Sequence, residues 1–399
     1  MIRDIKFFPA LCCSILVGCS LILSYCSAKK NDNDSGLEKE SLRIISIDDT
    51  NTFSERGFFE IFQLLEVEEL ENNSDFFLAE VNKLIVASGD FITLDNNLDA
   101  LLRFNSRGEI LNRICKIGDG PTEMPGISDF AYDSDKDEVY VIGPGIMQVK
   151  IFKPDGTFVR NFKMESQADH LTLLGDKPVL TLTYFNPYYR YLSVLDQSGD
   201  TLKTAFPFPK ETFPIGLQNI SGNLTRANTG GVLVNEPASS TVYNLDNEMN
   251  LKPKYKFVAS DDFWPEEDRH ELNAYFEKLA TGNLTFLSKY YEESESYFFF
   301  NLNAKKTGAR RYVIDPRIGY YNIEKGKSYL SESEKFLLDL KGPLAVDGNS
   351  FYTYISKMKL TELMGIDEKW KEIMTDFPEI EILEKADYDT PVLLKFGVK

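Results

Sequence analysis

The chain has 399 residues, 43% of them apolar and 27% charged, close to the globular average, which excludes a disordered or collagen-like chain. Its net charge of -18, from 44 basic against 62 acidic residues, argues against a nucleic-acid binder, which needs a cationic face to displace counterions. The two histidines, His170 and His270, are too few for a His-rich metal site.

At the N-terminus, Arg3 and Lys6 precede an apolar run from Phe7 to Tyr25, and a polar stretch follows at 27–36. Charged, apolar, then polar is the order of an export signal. The 19-residue run also has the length of a membrane anchor, but Pro9 and six Ser or Cys residues interrupt it. Cys12, Cys13, Cys19 and Cys26 lie here and only Cys115 lies in the body, so no disulfide framework is expected. Leu16, Val17, Gly18 and Cys19 resemble a bacterial lipobox, which would acylate Cys19. The competing site is Cys26, after which the chain turns polar. Acylation anchors a protein because each buried methylene contributes about 0.8 kcal/mol. The expected organisation is a lipoprotein signal peptide over 1–26, a flexible tether over 27–40 and one folded domain over 41–399.

The body carries an internal repeat. A unit of three strands, the last two joined by a glycine turn, recurs at 90–114, 137–162 and 177–206, and in degenerate form at 231–257. The turn glycines Gly108, Gly156 and Gly199 are 48 and 43 residues apart, and Met249 holds the same place 50 residues on. Propeller blades repeat every ~40–50 residues. Around Val139, Tyr140, Val141 and Ile142 both strand faces are apolar, as in sheets stacked between neighbours. Helical periodicity is nearly absent between 80 and 260. Two helices are expected as insertions, at 265–279 and 361–375. Later strands are read at 297–300, 311–314, 349–354 and 391–396. A ring must seal its first and last blades, and 42–47 is the expected partner of 391–396.

Between the first two copies stand Gly118, Asp119, Gly120, Pro121, Thr122 and Glu123, a Gly-x-Gly-Pro-x-Glu segment, followed by Asp129 and Phe130. Together with the strand before 95–108, these residues resemble the six-bladed β-propeller lipoproteins of Bacteroidetes, relatives of the NHL-repeat propellers. The ending 387–393 is similar to that family's Asn-Pro-x-Leu terminus, with Thr390 where Asn is usual. The resemblance implies an all-β, six-bladed propeller and a lipid-anchored address at the outer membrane or cell surface. It implies no reaction.

Several motifs have bland readings. Gly118 to Pro121 lack the helix N-terminus and Lys of a phosphate loop. Asp133, Asp135 and Asp137 alternate as in a calcium loop, but Glu138 and Pro144 stand where Gly and Glu are needed, so a solvated turn is read. Cys115 sits in a strand-like segment and reads as an inert buried thiol. No nucleophile elbow supports a Ser-His-Asp triad. The loop 185–191 stands out, because Tyr188, Tyr189 and Arg190 combine stiff rings with a planar cation. In a four-stranded blade the loop between strands two and three shares a side with the link to the next blade. That expectation puts 95–98, 144–147 and 186–190 beside 118–126. The candidate ligand-binding residues are therefore Asp119, Glu123, Tyr188, Tyr189 and Arg190; capping of blade packing is the other reading of the tyrosines. Arg310, Arg311 and Tyr312 form a second candidate.

The leading functional reading is a monomeric, lipid-anchored and non-enzymatic scaffold that binds a protein, peptide or glycan at the cell envelope. It assigns no catalytic residue, cofactor, metal or nucleic-acid partner. The alternative is a propeller hydrolase or lyase acting on an envelope carbohydrate or small molecule at the central channel. Convergent Asp, Glu or His in a deep channel would favour the enzyme, and a broad aromatic rim the binder. A third reading is a structural subunit that docks through the two helices.

Overall fold

The computed structural model describes residues 42–53, 55–183, 186–210, 223–237, 239–259, 284–305, 314–331, 340–377 and 389–399. Its strands form six sheets, here called blades 1 to 6, over 83–113, 129–163, 168–207, 224–258, 284–331 and 341–398. The first strands of the blades follow one another around a ring, and that of blade 6 returns to that of blade 1. The fold is a closed six-bladed β-propeller.

Burial explains why these segments are strands. Inner strands such as Glu138–Ile142 are buried at every residue, because each is covered by a neighbouring blade on both faces. Outer strands such as Phe158–Lys163 alternate between exposed positions and half-buried or buried ones. The core is correspondingly divided into six apolar clusters, one at each junction between blades. Phe130, Val139 and Phe152 of blade 2 meet Ile92, Leu94 and Leu101 of blade 1. Each such side chain contributes about 1.5–3 kcal/mol on full burial.

The repeat is confirmed at its turns. Gly108, Gly156 and Gly199 have φ of +72°, +91° and +95°, and Met249 takes the same left-handed conformation at +63°. In all four turns that residue donates its N–H to the carbonyl three residues earlier, at 2.8–3.2 Å. Space adds a second reason for glycine. A Cβ on Gly108 would lie 2.0 Å from the carbonyl oxygen of Glu69, and one on Gly199 would lie 2.1 Å from that of Lys163. Glu69 and Lys163 end the outermost strands of the preceding blades. Each glycine turn is thus pressed against the blade before it.

Ring closure differs from the sequence expectation. The early strand Arg43–Ser46 does not pair with the C-terminal strand. It adds in parallel to the outer edge of blade 4, with Arg43 opposite Tyr255 and Ser46 opposite Val258. Asn51–Phe53 adds in the same way to blade 5. The closing strand is Phe62–Glu69, which lies antiparallel to Pro391–Val398 and completes blade 6. Residues 43–69 therefore form a strap over three blades.

The expected helix at 361–375 is two helices, Lys357–Ile366 and Glu368–Met374, because Asp367 is extended and its side chain accepts from the N–H groups of Lys369 and Trp370. Trp370 is fully buried and packs edge-on to Phe59 at 5.1 Å. The pair thus covers blade 6 together with a short helix, Glu55–Ile61, of the strap. The expected helix at 265–279 lies outside the described residues.

Candidate functional site in the central channel and on the loop-bearing face

The six innermost strands enclose a cavity of about 360 Å³ on the propeller axis. Its lining is uneven. Blade 6 contributes apolar groups such as Pro343 and Leu344, blade 1 both apolar (Leu84, Val86) and polar groups (Asn82, Lys83), and blades 2 to 5 mostly polar groups.

Near one end, Lys83 of blade 1 donates to both oxygens of Asp129 in blade 2, at 2.9 and 3.0 Å, and to the carbonyl of Leu171 in blade 3 at 2.9 Å. Asp129 also accepts from the N–H groups of Phe130 and Leu171, at 2.8 and 2.7 Å. This carboxylate therefore ties three blades together. His170 Nδ1 lies 3.8 Å from Asp129 Oδ2, beyond hydrogen-bond length.

At the end of the innermost strand of blade 5, Glu293 forms a fully buried ion pair at 2.9 Å with Lys254 from the fourth strand of blade 4. Glu293 also accepts from the hydroxyl of Tyr255 and from the N–H of Asn228. The neighbouring Glu292 has no cationic partner at ion-pair distance among the described residues. It accepts from Thr225 Oγ1 at 2.7 Å, and burial pushes its carboxyl up to about 8, against the opposing pull of that hydrogen bond and of Lys83. Tyr290, also in the wall, is pushed up to about 12 by burial. Arg226 extends from blade 4 to the carbonyl of Tyr132 in blade 2, at 2.6 Å. It lines both the channel and a smaller cavity of about 160 Å³ among the hairpins on one side of the ring.

The sequence-derived candidates lie elsewhere. Asp119 is exposed in the link between blades 1 and 2. Glu123 folds back over that link and accepts from the N–H of Gly120 at 3.0 Å. A Cβ on Gly118 would lie 2.2 Å from its carboxylate, so a larger residue there would push the Glu123 side chain aside. The loops 95–98 and 144–147 do adjoin the link, since Asp99 accepts from the N–H of Ile127 and Gly126 touches Pro144. In blade 3 the organiser is Asn186, 2% exposed, whose side chain bonds Thr183, Tyr188 and Arg190. Tyr188 and Arg190 then line a cavity of about 250 Å³ beside Glu165 and Thr201. Tyr189 instead packs edge-on to Phe208 at 6.1 Å. Tyr188 and Arg190 thus share one cavity, Asp119 and Glu123 share one link, and the two groups do not meet in any cavity described here.

The loop-bearing face exposes large apolar residues at matching places. Leu98, Met147 and Tyr188, in the second loops of blades 1, 2 and 3, are 43%, 55% and 47% exposed. Asp133 accepts from the N–H groups of Asp135 and Lys136 within a hairpin turn on the opposite side. Cys115 is buried, and desolvation pushes its thiol up to about 12. Cys19, Cys26, His270, Arg310, Arg311 and Tyr312 lie outside the described residues. Among the described residues, no three His, Cys, Asp or Glu side chains are grouped to hold a metal ion, and no helix is long and apolar enough to cross a membrane.

Residues 43–395 match the family model of a domain of unknown function, DUF4934. The chain belongs to the DUF4934 family. Among solved structures, a Bacteroides fragilis protein described as exported is similar to this DUF4934 chain with a TM-score of 0.70 at 17% identity, covering 90% of this chain and all 100% of that one. A member of the DUF4221 family from Bacteroides vulgatus gives 0.56 at 12% identity, covering 85% and 99%. At such identities the likeness establishes the fold alone. No curated protein matches the chain.

Proposed function

We propose that this DUF4934 protein is an exported lipoprotein, acylated on Cys19 or Cys26, that acts as a non-enzymatic scaffold and binds a protein, peptide or glycan with the loop-bearing face of its propeller. The proposed organisation is a signal peptide over 1–26, a tether over 27–40 and the propeller over 41–399. Export is supported by the charged, apolar and polar order of the N-terminus and by the structural neighbour described as exported.

The observation that carries binding is the row formed by Leu98, Met147 and Tyr188. Exposed large apolar side chains are ordinary singly; repeated on successive blades beside the Arg190 cavity, they make a contact surface. Asp119 and Glu123 flank this row as polar rim. The test is capture from membranes under mild detergent, together with a glycan array, comparing the wild type with a Leu98→Asp, Tyr188→Ala, Arg190→Ala triple variant. A partner or glycan retained by the wild type and lost by the variant supports the reading. Equal retention contradicts it.

The enzymatic reading rests on the convergence of Asp129, His170 and Glu292 in the channel. Against it, both oxygens of Asp129 are held by Lys83 and backbone N–H groups. A paired-carboxylate mechanism needs a second carboxylate free to take or give a proton. Turnover of an envelope carbohydrate that is abolished by Glu292→Gln would favour the enzyme.

A further inference from the structure

One position of the repeat is filled differently in blade 3. Six residues before the turn residue, blades 1, 2 and 4 have Leu102, Lys150 and Tyr243. Each of these packs toward the preceding blade. Leu102 is fully buried in the cluster with Leu344 of blade 6, the Lys150 ammonium bonds the carbonyl of Glu123 in the link from blade 1, and Tyr243 meets Phe206 of blade 3 edge-on at 5.1 Å. Blade 3 has only Ser193 at this place. The junction between blades 2 and 3 is where the cavity of about 250 Å³ lies.

The sheet register builds its wall. Ser193 is opposite Leu180 in one neighbouring strand and Thr204 in the other, so the three share a face, and Leu182 and Leu195 continue that face two residues along. The same leucines join Ile151 and Phe162 of blade 2 in one apolar cluster, so the face looks toward blade 2. Met164 and Ser166, from the link between the blades, complete the buried lining. That lining is apolar except for two hydroxyls. Ser193 and Ser166 are 4% and 6% exposed, and neither hydroxyl has a hydrogen-bond partner among the described residues. The hydroxyl of Thr181 is sealed inside blade 3, whereas these two open on the cavity. The rim is accessible, since Glu165, Tyr188 and Thr204 are exposed.

We propose that this cavity receives the phenol ring of a tyrosine from a partner polypeptide. Its volume is below the range of whole-ligand sites and suits one side chain. The leucine wall takes the ring, and Ser193 and Ser166 bond the hydroxyl at its tip. A phenylalanine or leucine would bury both serine hydroxyls unpaired, which is costly. A polypeptide source follows from the rim, because Tyr188 belongs to the exposed row with Leu98 and Met147, and the cavity opens beside that contact surface. Aromatic anchors seated in such pockets dominate many protein interfaces. The proposal deepens the binding reading above and rests on it for the partner.

The test is ligand-observed NMR of the purified full chain with p-cresol, the tyrosine side chain alone, with toluene, which lacks the hydroxyl, and with N-acetyltyrosinamide, which adds the backbone. p-Cresol is expected to bind with a Kd of about 1 mM or tighter, and toluene about fivefold or more weakly. N-acetyltyrosinamide should displace p-cresol. Ser193→Leu, which gives blade 3 the residue of blade 1, should abolish p-cresol binding at an unchanged or raised thermal midpoint. In capture from membranes it should lose a partner that the wild type retains. Failure of p-cresol to bind below ~10 mM overturns the proposal. So does toluene binding as well as p-cresol, or Ser193→Leu binding p-cresol as the wild type does. p-Cresol binding that N-acetyltyrosinamide cannot displace assigns the cavity to a free phenol and overturns the polypeptide source. The ring titrations need no partner, so their failure is separate from failure of the loop-face reading. A partner retained equally by the wild type and Ser193→Leu overturns the anchor and leaves the loop face as the contact surface. Should Ser193→Leu not fold, Ser193→Ala decides: it should lose most of the preference for p-cresol over toluene, and an unchanged preference overturns the proposal.

Discussion

Blades 1 to 3 and blades 4 to 6 share one architecture and are held together differently. In the first half each blade is four consecutive strands, and a glycine turn locks it against its predecessor. In the second half every blade takes a strand from residues 43–69, so its integrity depends on chain more than 200 residues away. The turns reflect this. Gly108 and Gly199 have no room for a Cβ, whereas the equivalent place in blade 4 accommodates Met249 and that in blade 5 has Gly326 with its nearest neighbour at 3.7 Å. Where the strap braces the outer edge, the turn is released from tight packing.

The largest effect should come from the buried charge in the second half. Glu293→Ala leaves Lys254 desolvated without its partner and should cost about 3–5 kcal/mol. Denaturant unfolding would measure it; a loss below about 1 kcal/mol would place the pair in water and break the account of blades 4 and 5. Gly108→Ala comes next. Left-handed strain plus the collision with Glu69 should cost about 2–4 kcal/mol by the same measurement. Met249→Gly sharpens the contrast. It removes the strain of a side chain at positive φ but also loses the contact of Met249 with the apolar cluster between blades 3 and 4, so the net change in stability should stay within about 1 kcal/mol. A destabilisation comparable to that of Gly108→Ala would show that the two turns are not distinct.

The last test is a pH dependence. Glu292 titrates higher in the folded chain than in the unfolded one, so the native state binds the extra proton. Its contribution to stability is full below the unfolded value near 4.5 and is lost as pH rises through about 8. The thermal midpoint of the wild type should fall between pH 5 and 8 more than that of Glu292→Gln. Parallel profiles would contradict the burial of this group.

The legibility of the sequence follows the same divide. Gly108, Gly156 and Gly199 announce the repeat because backbone geometry and a neighbouring carbonyl both demand glycine. Met249 is found only through the period. The closing strand is not legible in the sequence, since 42–47 and 62–69 are both short apolar-rich segments with interspersed polar residues, and pairing is decided by which blade edge lies open. The link at Gly118 to Glu123 was readable as a connection, but Glu123 as a brace for the glycine turn was not. Lys83, Arg226 and Glu292 carry no signal of their own, and Asp129 stands out only through the family resemblance, because charges at strand ends normally mark where a strand meets water. They meet only when six inner strands share an axis. The available signal was a carboxylate at the start of a strand buried at every residue, as in Asp129–Asp133.

Ring closure by the strap is tested most directly with a cysteine pair. Glu66 and Lys395 are register partners in the closing ladder, with Lys395 Nζ 2.9 Å from the Glu66 carboxylate. Under mild oxidation Glu66→Cys with Lys395→Cys should form a disulfide, seen by mass spectrometry as one peptide joined from the two ends of the propeller. Ile44→Cys with Lys395→Cys should remain unlinked, because Ile44 is seated opposite Lys256 on blade 4. The reverse result, with residue 44 linked and residue 66 free, would contradict the closure described here.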